Sequence, residues 1–222
     1  MGKRAVITID GPAGAGKSTV GRLLAQALGY LYLDSGALYR AVAWQASKLG
    51  LDLSDPKAIS KFLKNFQPQV ASDGQGFHLL VNGEDISVEL RAAWVSRAAS
   101  QVAVLAVVRS WIKERLRHLG QNRGVVAEGR DQGSVVFPEA RYKFFLDADL
   151  KTRARRRRQD WQEAGSPPPL EEIMAEVAAR DRQDETRAEG PLTVPQDAIL
   201  IDTTNLTVAE VVRQCLARLK TS

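Results

Sequence analysis

Gly11-Pro-Ala-Gly-Ala-Gly-Lys17-Ser18 satisfies G-x-x-x-x-G-K-[ST] at every defined position, and its flanks supply the context that this motif needs. Ala5-Val-Ile-Thr-Ile9 before it is a short apolar, β-branched run of buried-strand character. After it, Val20, Leu23, Leu24, Ala27 and Leu28 recur at the spacing of a helix that buries one face, and Gly29 stands where a left-handed residue closes a helix. Strand, glycine loop and helix in that order make a phosphate cradle. The glycines let successive backbone N–H groups turn inward, and the helix N-terminus adds partial positive charge. Lys17 is placed to reach the β- and γ-phosphates of a nucleotide, and Ser18 to offer its hydroxyl to Mg²⁺.

The remaining strand candidates are 30–34, 124–128, 142–146 and 198–202, alternating with helical patterns. Their near-continuous apolar character fits strands covered on both faces, hence an α/β fold with a parallel sheet between helices. Ser54-Asp55-Pro56 reads as a helix start whose apolar side is Ile59, Phe62, Leu63 and Phe66, and Thr207-x-x-Glu210 is a capping box opening the last helix. Two stretches break the rhythm. Phe77–Val81, Asn82-Gly83 and Glu84–Ser87 read as a hairpin on an Asn-Gly turn, inserted between the second and third core strands. An arginine-rich helix from about Lys151 is closed by Gly165-Ser-Pro-Pro-Pro169.

Cys215 is the single cysteine, which excludes an internal disulfide and a cysteine-built zinc site. It falls in the apolar stripe Val208, Val211, Val212, Cys215, Leu216, Leu219 and reads as a buried thiol. His78 and His118 are isolated in sequence from each other and from any acidic cluster, and no catalytic role is expected for either. No apolar run approaches the ~20 residues that span a membrane. The run after the basic start is too short for a signal peptide, so a cytoplasmic address is expected.

The net charge of +5 raises a choice between a nucleic-acid surface and a site holding several phosphates. The placement of the arginines decides it. Asp34-Ser35-Gly-Ala-Leu-Tyr39-Arg40 follows the second strand, and Glu128-Gly-Arg130-Asp131 follows the third, both at the sheet edge where ligands of open α/β folds bind. Arg180, Asp184 and Arg187 are spaced to share one helix face that continues the apolar positions Ile173 and Val177. A phosphomonoester acceptor is already ionised, so it needs cations against repulsion more than it needs a base. Arg153, Arg155, Arg156, Arg157 and Arg158 lack an accompanying aromatic sheet or groove-reading motif, and read as a lid whose arginines close over transferring phosphates.

Ile-Asp-Gly-Pro-Ala-Gly-Ala-Gly-Lys-Ser, Leu-Asp-Ser-Gly-Ala-Leu-Tyr-Arg, Ala-Ala-Ser-Gln-Val-Ala, Glu-Gly-Arg-Asp-Gln-Gly-Ser-Val-Val-Phe-Pro and Arg-Asp-Arg-Gln-Asp-Glu-Thr-Arg together resemble the bacterial cytidylate kinases of the long type, from the loop almost to the C-terminus. The resemblance implies a nucleoside monophosphate kinase with a five-stranded parallel P-loop core over 1–36, 93–150 and 186–222. A monophosphate-binding subdomain with a three-stranded antiparallel insert would occupy 37–92, and a lid with its adjoining helix 151–185. ATP with Mg²⁺ and CMP or dCMP are the substrates it implies. Gly11, Pro12, Ala13, Gly14, Ala15, Gly16, Lys17, Ser18 and Thr19, with Arg153 and Arg157 of the lid, would hold ATP. Ser35, Arg40 and Arg130 would hold the acceptor phosphate, with Tyr39 beside them, while Arg180 and Arg187 would neutralise the transferring group.

By the same resemblance Ser100, Arg109 and Asp131 would read cytosine, and Asp184 the ribose hydroxyls. Two features depart from the pattern: Glu128 stands where Asp is expected in many relatives, and Gln183, Glu185 and Thr186 vary the spacing residues around Asp184. A monomer without a stable nucleic-acid partner is expected. The same reaction on UMP or AMP is the nearest alternative. A P-loop regulatory or nucleic-acid-binding module is a more distant one, disfavoured because a switch needs no second phosphate pocket.

Overall fold

Five short, mainly apolar runs form the central sheet. The computed structural model describes residues 5–73, 76–162 and 168–220. In chain order it contains β1 (Val6–Asp10), α1 (Lys17–Leu28), β2 (Leu31–Asp34), α2 (Ser35–Lys48), α3 (Pro56–Leu63), β3 (Gln69–Asp73), β4 (Gly76–Val81) and β5 (Glu84–Asp85). Then come α4 (Ala93–Val102), α5 (Ala106–Gly120), β6 (Val125–Glu128), β7 (Tyr142–Asp147), α6 (Leu150–Gln162), α7 (Leu170–Thr186), β8 (Ile199–Asp202) and α8 (Val208–Lys220). The sheet is five-stranded and parallel in the order β2-β6-β1-β7-β8, so every expected core strand is present within a residue or two. Gly165 and the neighbouring residues expected to close the arginine-rich helix lie outside the described residues.

Two compact units divide the chain. The first comprises residues 1–30 and 122–222 and buries Ile7, Ile9, Leu24, Val125, Val126, Phe144, Leu146 and Cys215. The buried face of α1 differs from the expected one. Val20 and Leu24 are buried, but Ala27 is exposed, and Lys17, Gly21 and Ala25 take the remaining buried positions. That rotation sets the small residues Gly21 and Ala25 on the inner side and brings Lys17 inside with them. Gly29 closes the helix at φ 63°, as expected. The capping box of α8 is formed: Thr207 N donates to Glu210 Oε2 at 2.8 Å and Glu210 N to Thr207 Oγ1 at 3.3 Å.

The second unit, residues 31–121, packs α2 against α4 around Leu38, Ala41, Val42, Val95 and Val102. Asp55 accepts from Lys57 N at 2.8 Å and opens α3, where Ile59 and Leu63 are buried. The insert is a three-stranded antiparallel sheet, β3-β4-β5, turning at Asn82 and Gly83, both at positive φ. His78 is not isolated from acids as its sequence neighbourhood suggests. The hairpin brings Asp85 Oδ2 to 3.1 Å from its Nδ1. Among the described residues, no helix is long and apolar enough to cross a membrane.

Each core strand ends in a carboxylate: Asp10, Asp34, Glu128, Asp147 and Asp202. Four of the five accept backbone N–H groups from the turn or segment that begins beyond a strand end. Asp34 takes Ala37 N and Asp147 takes Ala148 N, each at 2.8 Å. Asp202 takes Thr204 N at 2.8 Å, and Asp10 takes Gln132 N at 2.8 Å and Gly133 N at 2.7 Å. The fifth, Glu128, is bonded to a side chain.

Candidate active site

The glycine loop leaves β1 through backbone that no other residue fits. Gly11 has φ +145°, and a Cβ there would lie 1.9 Å from the carbonyl oxygen of Leu146. Gly14 has φ +79°, and its Cβ would lie 2.7 Å from the carbonyl oxygen of Arg153. The loop is thus seated against the end of β7 and the first turn of α6. Lys17 Nζ folds back to donate to Pro12 O at 2.7 Å, and Ser18 Oγ donates to Glu128 Oε1 at 2.7 Å.

Beyond β6 the chain runs through Arg130 and Asp131 into a single π-helical turn over Gln132–Val136. The buried carboxylate of Asp10 holds the first two N–H groups of that turn. Burial raises its pKa to about 6 against the lowering effect of those two bonds. The turn fixes the direction in which Arg130 and Asp131 leave the sheet.

Across from it stands the end of α7. Arg130 Nε donates to Asp184 Oδ2 at 2.8 Å, Arg187 Nη1 to Asp184 Oδ1 at 3.2 Å, and Arg187 Nη2 lies 4.0 Å from Asp131 Oδ2. Arg130, Asp184, Arg187 and Asp131 therefore form one alternating chain of charges. Arg187 does not share the helical face of Arg180 and Asp184 as the spacing predicts. The helix ends at Thr186, Arg187 is extended (φ −63°, ψ 144°), and Leu192 N returns to Asp184 O at 2.8 Å. Its side chain still reaches Asp184 because the turned chain brings it back over the helix end.

The charges are coupled to the loop lysine. Burial, reinforced by the Arg130 and Arg180 guanidinia and opposed by Glu128 and Asp184, lowers the pKa of Lys17 to about 7. Burial acts against both partners of the central pair. Even so, Asp184 holds Arg130 above the ordinary arginine range, and Arg130, Arg180 and Arg187 hold Asp184 below the ordinary carboxylate range. Lys17, Arg130, Arg180 and Arg187 gather around Asp184, with Glu128 and Asp131 as further carboxylates, so the loop adjoins a dense cluster of guanidinia of the kind that can receive anions.

The second unit carries the other expected substrate residues. Ser35 is buried at the first turn of α2, and Arg40 Nη2 pairs with Asp34 Oδ2 at 3.1 Å. Arg109 is buried, donates to Ala103 O at 3.3 Å, and holds its guanidinium 5.9 Å from the centre of the Tyr39 ring. Ser100 Oγ donates to Ser96 O at 3.3 Å.

Arg153, expected at ATP, is bonded to the loop itself and to Asp181 of α7. It is buried, its Nε donates to Ala148 O at 2.8 Å, and its Nη1 donates to Ala13 O at 3.1 Å and to Asp181 Oδ2. The first turns of α6 pack inward, with Ala154 against Ala13, Ile173 and Val177, so a side chain one residue earlier is drawn under the loop. Arg156 donates to Thr203 O at 2.6 Å, and Arg157 lies 3.4 Å from Glu176. Three residues stand out here that spacing did not reveal: Asp10, Asp181 and, as the partner of Ser18, Glu128. Only Glu128 had a sequence signal, its place at the end of a strand beside the arginine motif.

A parallel α/β sheet with a glycine loop leading into a buried lysine at the first turn of a helix is the P-loop nucleotide-binding architecture. Residues 7–221 match the family model described as cytidylate kinase, and the chain belongs to that family. It is 41% identical over 220 residues to a cytidylate kinase of Oleidesulfovibrio alaskensis, covering 99% of this chain and 100% of that one. It is 44% identical over 221 residues to a bifunctional pantoate ligase/cytidylate kinase of Synechococcus elongatus, of which it spans 42%. A crystal structure of an uncharacterised protein from Eubacterium ventriosum shares the fold at a TM-score of 0.53 and 10% identity, covering 99% of this chain and 100% of that one.

Proposed function

We propose that this protein transfers the γ-phosphoryl group of ATP to CMP, and to dCMP, giving ADP and the corresponding diphosphate. A phosphate oxygen of the acceptor attacks the γ-phosphorus, the bond from that phosphorus to the β-bridging oxygen breaks, and ADP leaves with the electron pair. The observation that carries the reading is the charge chain Arg130–Asp184–Arg187–Asp131 beside Lys17, together with membership of the cytidylate kinase family. Such a chain has no use in a switch that only hydrolyses nucleotide.

Residues 11–19 hold the ATP phosphates in this reading. Lys17 neutralises the migrating group with Arg180 and Arg187, and Arg130, Ser35 and Arg40 hold the acceptor phosphate. Approach of two anions is opposed by Coulomb repulsion, and preorganised cations remove that opposition without reorganising as the bond forms. Arginine suits the task because its fork stays charged and binds phosphate oxygens in pairs. Asp131, Arg109 and Ser100 read cytosine, whose edge offers an amine donor beside two acceptors, with Tyr39 packed along Arg109. Asp184 takes the ribose hydroxyls.

Mg²⁺ fits the donor set at the loop. Ser18 Oγ and Glu128 Oε1, 2.7 Å apart, are hard oxygen ligands, and among the described residues no group of three or more His, Cys, Asp or Glu could hold a metal alone. When bound with ATP, the ion supplies neutralisation of charge on the phosphate oxygens. Residues 37–92 and 151–185 serve in this reading as the monophosphate subdomain and the lid.

An ADP-release assay over CMP, dCMP, UMP and AMP tests the proposal. CMP and dCMP are expected to support release far faster than UMP or AMP. Equal rates over the panel, or release that ignores the acceptor, would contradict it.

A further inference from the structure

We infer that Asp181 is a positioning residue for the nucleotide-binding loop, acting with Arg153 as a clamp on both peptide groups of Ala13. Ala13 N donates to Asp181 Oδ1 at 3.3 Å, and Arg153 Nη1 donates to Ala13 O at 3.1 Å. The same Arg153 nitrogen donates to the other oxygen of Asp181, so carboxylate, guanidinium and one loop residue close a ring of hydrogen bonds. Both residues are buried, at 8% exposure each. A buried ion pair of this kind costs desolvation, and it is held here by using its remaining hydrogen-bonding capacity on backbone.

The clamp completes a set of restraints on consecutive loop residues. Pro12 O is held by Lys17 Nζ at 2.7 Å, Ala13 by Asp181 and Arg153, and Gly14 by direct packing on the Arg153 backbone. These contacts do not use the N–H groups from Gly14 onward, which in the proposed reading bind phosphate. A loop fixed on its outer side meets the phosphates without first losing conformational freedom, which is the source of tight binding by a short glycine-rich segment.

The clamp also links the loop to both helices that follow β7. Arg153 is in the first turn of α6, and Asp181 follows Arg180 on α7. A displacement of α7 that moves Arg180 and Asp184 therefore pulls on Ala13. Donor-loop geometry and the transfer-site cations are tied through one carboxylate, whose charge also acts on Arg130.

The inference rests on the reading of residues 11–19 as the ATP site, and the experiment separates the two. Calorimetric binding of Mg-AMP-PNP to the wild type tests that reading alone. With binding established, the affinity of Asp181→Asn is expected to fall roughly ten- to hundredfold, since a displacement of about 1 Å at a positioned group costs on that order. KM for ATP should rise while KM for CMP stays within about twofold, because removing a negative charge near Arg130 does not weaken an acceptor anion. Arg153→Lys keeps the charge but loses the fork. It should reproduce the effect, and the double variant should be no worse than the more damaging single one, as for groups that act as a unit.

Arg153→Lys answers the same question if Asp181→Asn folds poorly. Unchanged AMP-PNP affinity in a folded variant, with only a lowered melting temperature, would overturn the clamp. So would equal rises in KM for ATP and CMP. A wild type that fails to bind AMP-PNP would instead overturn the ATP-site reading.

Discussion

Ser18 Oγ donates to Glu128 Oε1 across 2.7 Å, joining the first turn of the loop helix to the end of the strand beside β1. In the proposed reading this hydroxyl and carboxylate are hard oxygen donors for the Mg²⁺–nucleotide complex. Glu128→Gln keeps an acceptor for Ser18 but removes the charge. It is expected to raise the Mg²⁺ concentration for half-maximal activity by about tenfold, the scale of losing one metal-orienting group. A Mg²⁺ titration at fixed ATP checks this, and an unchanged midpoint would remove Glu128 from the metal site.

Lys17 carries the clearest pH signature. Its pKa is about 7 rather than the ordinary 10.5, so the free enzyme loses the loop charge as pH rises through neutrality. The pH profile of kcat/KM for ATP reports free-enzyme groups, and should fall by about tenfold per unit above that pKa. The linked stability effect has a definite sign. Between about 7 and 10.5 the unfolded chain binds more protons at this group than the folded one, so Lys17 makes unfolding harder as pH rises through that window. Asp10, raised to about 6 by burial, works in a lower window: its contribution is present below 3.8 and lost as pH rises through about 6. A flat kcat/KM profile from pH 6.5 to 9 would contradict the depressed lysine.

Gly11→Ala probes the seat of the loop. The added methyl would meet the Leu146 carbonyl oxygen at 1.9 Å from a backbone φ of +145°. Backbone must move to relieve the clash, at a cost of about 3 kcal/mol in stability. Urea denaturation should show the midpoint falling with an unchanged slope. A midpoint equal to that of the wild type would contradict the close approach of loop and strand.

The strands were legible because each is a short, near-continuous apolar run, and the loop because its glycines and lysine are contiguous in sequence. Arg130, Asp184 and Arg187 were legible as chemistry, but the departure of Arg187 from the helix was not read. Gly190-Pro191 just beyond carried that signal, since proline cannot continue a helix. Asp181 and Asp10 were illegible for a different reason. Their partners are backbone N–H groups at sequence separations of 168 for Ala13 and 122 for Gln132, and no local spacing records such a bond. The inward turn of Arg153 is not legible because a run of arginines looks solvated from every side. Only the packing of Ala154 against Ala13 shows which of them turns inward.

Asp131→Asn tests how the base is read. A carboxylate accepts from the cytosine amine but faces the uracil carbonyl as one acceptor against another, and a buried mismatch of that kind rejects near-isosteres by large factors. The asparagine amide can donate to uracil, so the ratio of kcat/KM for CMP over UMP should narrow by at least about tenfold without inverting, since Arg109 and Ser100 are unchanged. Equal loss on both substrates would reduce Asp131 to holding Arg187, which lies 4.0 Å from it.

Transfer and hydrolysis differ in where the γ-phosphorus goes, and ³¹P NMR of the protein with ATP, Mg²⁺ and CMP follows that atom directly. The expected spectrum shows the β-phosphate resonance of CDP growing in one-to-one proportion with ADP as the CMP and ATP signals decline. Growth of ADP with inorganic phosphate while CMP persists would contradict a kinase acting on CMP.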